Sequence, residues 1–132
     1  MAILSAEDRS AIEDLLSSYV LSLDVDDVET MASLFTEDGE FRTYGRVFAG
    51  RDQIRRMAAG APKGLHLAGR CLITPDADAA RVRQQLVFFP SDRSAHRLAI
   101  YDDVVVRAGG QWRFRVRQCR FLNERGELAD RP

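Results

Sequence analysis

Residues 96–122 read HRLAIYDDVVVRAGGQWRFRVRQCRFL. Both halves are rich in apolar, β-branched and aromatic residues, and Gly109-Gly110 divides them where a tight hairpin needs positive backbone angles. The stretch therefore predicts two long antiparallel strands, His96 to Arg107 and Gln111 to Leu122. Upstream, Leu65 to Thr74 and Ala80 to Phe89 have the same character, set apart by Pro75-Asp76-Ala77-Asp78 and Pro90-Ser91-Asp92-Arg93. Four long strands with so little chain between them all twist in one hand, so a strongly curved, mostly antiparallel sheet is expected.

The chain before this sheet is helical in pattern. Ile12, Leu15, Leu16, Tyr19, Val20 and Leu23 recur at helical spacing and give one broad apolar face from about Ser5 to Leu23. Ser5 and Asp8 have the spacing of a capping box. Asp26 and Glu29 suggest a second cap, opening a short helix with Val28, Met31, Leu34 and Phe35 inward. Glu37-Asp38-Gly39 breaks that pattern, and Glu40 to Phe48 reads as an irregular strand or hairpin around Gly45. A third helix, Arg51 to Ala59, points Ile54 and Met57 inward and stops at Gly60, Pro62 and Gly64. With 132 residues the chain holds one domain, 1–132, and one core. The expected architecture is α+β, a curved sheet packed on three N-terminal helices around a pocket, with Asp130 to Pro132 as a loose tail.

Composition narrows the function classes. Nineteen Lys plus Arg against twenty Asp plus Glu leave a net charge of -1 with no basic cluster, so neither nucleic acid nor an anionic membrane is expected as partner. Met1 to Asp8 lacks a basic region followed by an apolar stretch, and no run approaches membrane-spanning length. Cys71 and Cys119 stand alone, without a CxxC or Cys/His cluster, and read as reduced, buried small hydrophobes. A cytoplasmic location is the expectation.

The candidate chemistry begins with Tyr19, Asp24 and His66. Tyr19 and Asp24 project about 140 degrees apart on a continuing helix, yet share a cavity if the helix ends near Leu23. A carboxylate there feels the negative end of the helix dipole and becomes a better base. Asp24 could instead cap the next helix or face solvent beside Asp26 and Asp27. His66, just after the Gly60 to Gly64 breakers, is either a half-buried filler or an imidazole held in one tautomer by an acid such as Asp24. In the second case it can remove a proton near neutral pH. His96 is the competitor, at a surface strand edge or pointing inward. The spacings of the two histidines and nearby carboxylates match no metal motif, so no metal and no cofactor is expected.

Alternation sends Tyr101 and Asp103 to one face and Asp102 to the other; the alternatives are one carboxylate buried against an arginine, both at a subunit interface, or a catalytic part. Arg113, Arg115 and Arg117 at alternate positions point to one face, and parity puts Arg117 opposite Trp112 and Phe114 unless a bulge intervenes. Phe41, Phe48, Phe88 and Phe89 are candidates to line a greasy cavity; Phe41 and Phe88, together with Leu23 and Tyr101, are assigned to the substrate pocket.

A resemblance rests on Ala11-Ile12-Glu13-Asp14-Leu15, Leu23-Asp24-Val25-Asp26-Asp27, Leu34-Phe35-Thr36-Glu37-Asp38-Gly39-Glu40-Phe41, Gly50-Arg51, His66 and Gly109-Gly110-Gln111-Trp112-Arg113-Phe114. In this order they resemble the SnoaL-like branch of the NTF2-like superfamily. The resemblance implies a cone-shaped domain with a deep pocket, found as dimers or trimers. It is nearest in pattern to the lyases of the dehydrochlorinase and bile acid 7-alpha-dehydratase type, and implies that Asp24 supports His66 as general base. Tyr19 and Arg117 then match further active-site positions. Phe41 falls where the dehydrochlorinase has a tryptophan, which argues against a chlorinated ring as substrate. The implied activity is a cofactor-independent lyase acting on a small apolar cyclic or aromatic compound; the alternatives are an isomerase of an enolisable cyclic ketone and a non-catalytic binding domain.

Overall fold

The computed structural model describes residues 3–129, so the tail expected at Asp130 to Pro132 lies outside the described residues. Helix α1 spans Ala6–Asp24 and buries Ile12, Leu15, Leu16, Tyr19 and Val20, the face that its periodicity marks. Both halves of its capping box form: the Asp8 N–H donates to Ser5 Oγ at 2.9 Å and the Ser5 N–H to Asp8 Oδ2 at 3.2 Å. Asp8 also accepts from Trp112 Nε1 at 3.1 Å, which ties the start of α1 to the last hairpin.

Helix α2, Val28–Ser33, is capped by Asp27, whose side chain accepts from the Thr30 N–H at 3.2 Å, rather than by Asp26. Asp26 instead makes the turn between the helices, at φ 63°. The helix is also shorter than expected. Phe35 leaves it to open strand β1, Phe35–Thr43, where it is fully buried beside Phe114. The helical spacing of Val28, Met31, Leu34 and Phe35 was coincidental past Ser33, because a strand alternation starting at Phe35 buries the same side chain. Strand β2, Arg46–Ala49, returns along β1 through a turn with positive φ at Tyr44 and Gly45. Helix α3 spans Arg51–Gly60. Strands β3, Gly64–Asp76; β4, Ala79–Pro90; β5, Arg97–Ala108; and β6, Gln111–Leu122, form the antiparallel meander, and the short β7, Leu128–Ala129, pairs with the end of β6.

The sheet order is β2-β1-β6-β5-β4-β3. This corrects the expected architecture: the sheet is mixed, since β1 runs parallel to β6, and it is neither strongly curved nor closed. Twist rotates each strand against its neighbour, but rolling a sheet up requires its edges to approach one another. Here β2 and β3 remain separate edges. Helix α1 packs on β3 and β6 and α3 on β1 and β2, so the helices supply the apolar cover that a rolled sheet would supply itself. Ile12, Leu16, Tyr19, Phe35, Val105 and Phe114 are fully buried between these layers.

One irregularity decides what the sheet presents. Val104 pairs with Val116 and Val105 with Phe114, which leaves Arg115 as an extra residue in β6. The bulge reverses the parity of everything after it. Trp112 and Phe114 are buried before it, and Arg117 and Cys119 are buried on the same side after it. The expectation that Arg113, Arg115 and Arg117 share a face therefore fails: Arg113 reaches the carbonyls of Ala108 and Ser33, Arg115 is exposed, and Arg117 is in the core. Among the described residues no helix is long and apolar enough to cross a membrane.

Candidate active site

A cavity of about 630 Å³ opens between the helices and the sheet. Tyr19 and Leu23 from α1, Phe41 from β1, His66 from β3, Phe88 from β4 and Tyr101 from β5 all line it, together with Phe48 and Met57. Seven of the site and pocket candidates read from sequence, Phe48 included, thus meet at one hollow. Phe89 does not join them; next to Phe88 in a strand, it projects from the opposite face and is exposed.

Asp24 stands behind His66. The last residue of α1 meets the start of β3, and the imidazole Nδ1 lies 2.5 Å from Asp24 Oδ1. The main-chain N–H of His66 donates to the same carboxylate, at 3.0 Å to Oδ2 and 3.1 Å to Oδ1. Both side chains are 13% exposed. A carboxylate is acceptor-only, so Nδ1 carries the proton and Nε2 is left with a lone pair. Burial pushes the imidazole below its ordinary value against the opposing pull of Asp24, which favours the neutral, basic form.

Gly64 makes this placement possible. A Cβ there would lie 2.2 Å from the Phe89 carbonyl oxygen and under 3 Å from the Phe88 ring, so only glycine lets β3 start this close to β4. His66 then pairs with Phe88, and their rings lie 4.5 Å apart. The run of breakers before His66 carried this signal in the sequence.

Arg117 is fully buried and is not among the residues lining the cavity. Its guanidinium stacks 3.6 Å from the centroid of the Tyr101 ring and 4.3 Å from that of Tyr19, so the two tyrosines lie between it and the hollow. Its Nε is 3.2 Å from Asp103 Oδ1, and its Nη2 donates to Gln84 Oε1 at 3.3 Å. Asp103 is thus the carboxylate buried against an arginine, while Asp102 faces away to pair with Arg83 and Arg120. Burial pushes Asp103 up to about 7 despite the arginine, and raises both tyrosines. The Tyr19 hydroxyl is buried and, among the described residues, has no hydrogen-bond partner.

His96 is exposed in the loop before β5, which starts at Arg97 rather than at the histidine, with its ring 6.1 Å from that of Phe89 and away from the residues lining the cavity. Cys119 lines the cavity, its thiol pushed up to about 12 by burial; Cys71 is half-buried elsewhere, and both are free. Among the described residues no three His, Cys, Asp or Glu side chains cluster as metal ligands would.

Part of the lining carries no signal in the local sequence. Arg46, Arg56 and Arg97 line the cavity, and Arg97 Nη1 donates to the Tyr44 hydroxyl at 2.5 Å. Tyr44 and Arg97 are fifty-three positions apart, and no local pattern joins them.

Residues 4–118 match the SnoaL-like domain, and the chain belongs to that family. No curated protein matches it. Among solved structures, it is similar to a Mycobacterium tuberculosis protein described as of unknown function, with 29% identity and a TM-score of 0.82 over 89% of this chain and 77% of that one. It is also similar to an NTF2-like protein with a cystatin-like fold from Novosphingobium aromaticivorans, with 26% identity and a TM-score of 0.81 over 89% of this chain and 84% of that one. A hexachlorocyclohexane dehydrochlorinase shares the fold, with a TM-score of 0.77 over 89% of this chain and 86% of that one, at 19% identity. The likeness spreads over NTF2-like enzymes and proteins of unknown function alike, and no dehydrochlorinase-type relative stands clearly nearest.

Proposed function

We propose that this SnoaL-like domain is a cofactor-independent lyase that eliminates water or a similar group from a small, largely apolar cyclic or aromatic compound. The observation that carries this reading is the buried Asp24–His66 pair beside an aromatic-lined cavity: one imidazole nitrogen is held at 2.5 Å while the ring faces the hollow. Nε2 of His66 takes a proton from carbon. The C–H electron pair becomes the new double bond, the leaving group departs from the neighbouring carbon with its own bonding pair, and the proton passes from the imidazolium to that group, so that it leaves neutral and His66 is again the free base. Asp24 stabilises the imidazolium that forms and keeps the ring from turning.

Tyr19 and Arg117 take supporting parts. Tyr19 lines the cavity and its hydroxyl has no partner among the described residues, so a small rotation would offer it to developing negative charge. Arg117 acts through the rings of Tyr19 and Tyr101 rather than by touching substrate. Leu23, Phe41, Phe88 and Tyr101 hold the apolar body of the substrate. We place the enzyme in the cytoplasm as a homodimer or homotrimer.

The same base could return its proton to another carbon, which is isomerisation. Incubation with a panel of cyclic alcohols and enolisable ketones, read by product mass, separates the readings. Loss of a small neutral molecule supports the lyase; unchanged mass with a shifted double bond assigns an isomerase. Binding without turnover of any member would reduce the domain to a ligand-binding module.

A further inference from the structure

The charges around the cavity are one-sided. Its lining includes three exposed arginines, Arg46, Arg56 and Arg97, and His66, and among the described residues no Asp or Glu. None of the three arginines has a carboxylate within ion-pair distance among the described residues; Arg9, Arg51, Arg70, Arg93, Arg113, Arg115 and Arg125 also lack one, but they do not line the cavity. In a chain of net charge -1, uncompensated positive groups gathered at one hollow are a local feature, not an overall excess.

Arg97 is also set in place. It donates to the Tyr44 hydroxyl, its guanidinium lies 5.7 Å from the centroid of the Phe121 ring, and Tyr44 stacks on Phe121 at 4.9 Å. A long side chain held this way has already given up most of its rotamer freedom before a ligand arrives. Its position relative to the base is set by the sheet. His66 pairs with Phe88, and Phe88 with Arg97, so the three lie in one row on one face of β3, β4 and β5. Two strand spacings put the ends of that row about 10 Å apart. Between them lies the Phe88 ring, an apolar surface for a flat hydrocarbon body.

We propose that the substrate of this site is an anion: an apolar ring compound carrying a carboxylate, which Arg97 binds at the mouth while the ring rests on Phe88 and presents its acidic C–H to His66. Arg46, whose guanidinium lies 4.9 Å from the centroid of the Phe48 ring, adds a second positive residue to the lining. The inference rests on the lyase reading for the role of His66, but the anion selectivity is a binding property and is tested without turnover.

Isothermal titration with naphthoate and with its neutral isostere naphthamide makes the test, on the native chain and on its His66→Ala and Arg97→Gln variants. The native and His66→Ala proteins are expected to bind naphthoate at least about tenfold more tightly than naphthamide, as a charge-assisted contact gives. Arg97→Gln should erase that preference while keeping the affinity for naphthamide, and the exposed Arg115→Gln, away from the cavity, should change neither. Equal affinity of the native protein for the two ligands, including none for either, overturns the proposal, as does a preference that survives Arg97→Gln. Anion preference in a chain that turns over no compound, charged or neutral, would leave the anion site standing and remove the lyase; turnover of neutral compounds without that preference would do the reverse.

Discussion

The carboxylate of Asp24 holds His66 at two points, accepting from its main-chain N–H at 3.0 Å and lying 2.5 Å from its Nδ1. One bond fixes where β3 begins and the other fixes the imidazole. A single side chain at the end of α1 thus sets both the strand and the tautomer. Asp24→Asn removes the negative charge that steadies the imidazolium and replaces one acceptor oxygen by an amide N–H, which can donate to a bare Nδ1 and so lets the ring take the other tautomer. Turnover is expected to fall about a hundredfold, and denaturant unfolding should show a loss of about 1–3 kcal/mol. Native turnover in the variant would remove Asp24 from the mechanism.

The burial of His66 makes a pH prediction with a definite sign. Its folded value lies below the ordinary 6.5, chiefly because the charged form is desolvated. Above 6.5 the ring is neutral in both folded and unfolded chains and its contribution to stability is complete. As pH falls through 6.5 toward the folded value, the unfolded chain takes the proton first and stability is lost. The acid limb of kcat/KM should lie below 6.5 for the same reason, since the base stays neutral until then. An acid limb above 6.5 that vanishes in His66→Gln would show the opposite shift.

Arg115 is the extra residue that turns Arg117, Cys119 and Phe121 toward the interior. Deleting it should restore regular alternation and swing all three outward, with loss of cooperative thermal unfolding. Arg115→Ala keeps the residue count and should change stability by less than about 0.5 kcal/mol, as an exposed substitution does. If the deletion variant melted like the native protein, the bulge would not be what sets the face of Arg117.

What the sequence could show follows from the range of each interaction. Capping at Ser5 and Asp8, the apolar face of α1 and the hairpin at Gly109-Gly110 are local, and all were legible. Asp24 and His66 were legible as candidates because each sits at an element boundary marked by breakers; their meeting is a contact across forty-two positions. Phe35 was misplaced because one turn of helix and the start of a strand bury it equally well. The bulge at Arg115 has no composition signal, so the position of Arg117 stayed conditional. The expected curvature failed because strand twist is local, whereas the openness of the sheet depends on which strands lie at its edges.

The outer face of the sheet offers a surface for the proposed dimer or trimer. Leu65 pairs with Phe89, Leu67 with Val87, and Val87 with Leu98, and Leu65, Leu67, Phe89 and Leu98 are all well exposed. An apolar patch of this kind on β3, β4 and β5 is what the proposed dimer or trimer would cover. Leu67→Glu should convert the native oligomer to monomer in sedimentation velocity without altering the melting of the subunit core. A native chain that sediments as monomer at all concentrations would remove the oligomer.

The tautomer of His66 tests the central claim most directly, and it needs no substrate. Nitrogen-15 NMR of the labelled protein at neutral pH is predicted to show Nδ1 protonated and Nε2 bare, with Asp24→Asn mixing the two forms. A proton resident on Nε2, or an imidazolium at neutral pH, would contradict the account, because no lone pair would then face the cavity.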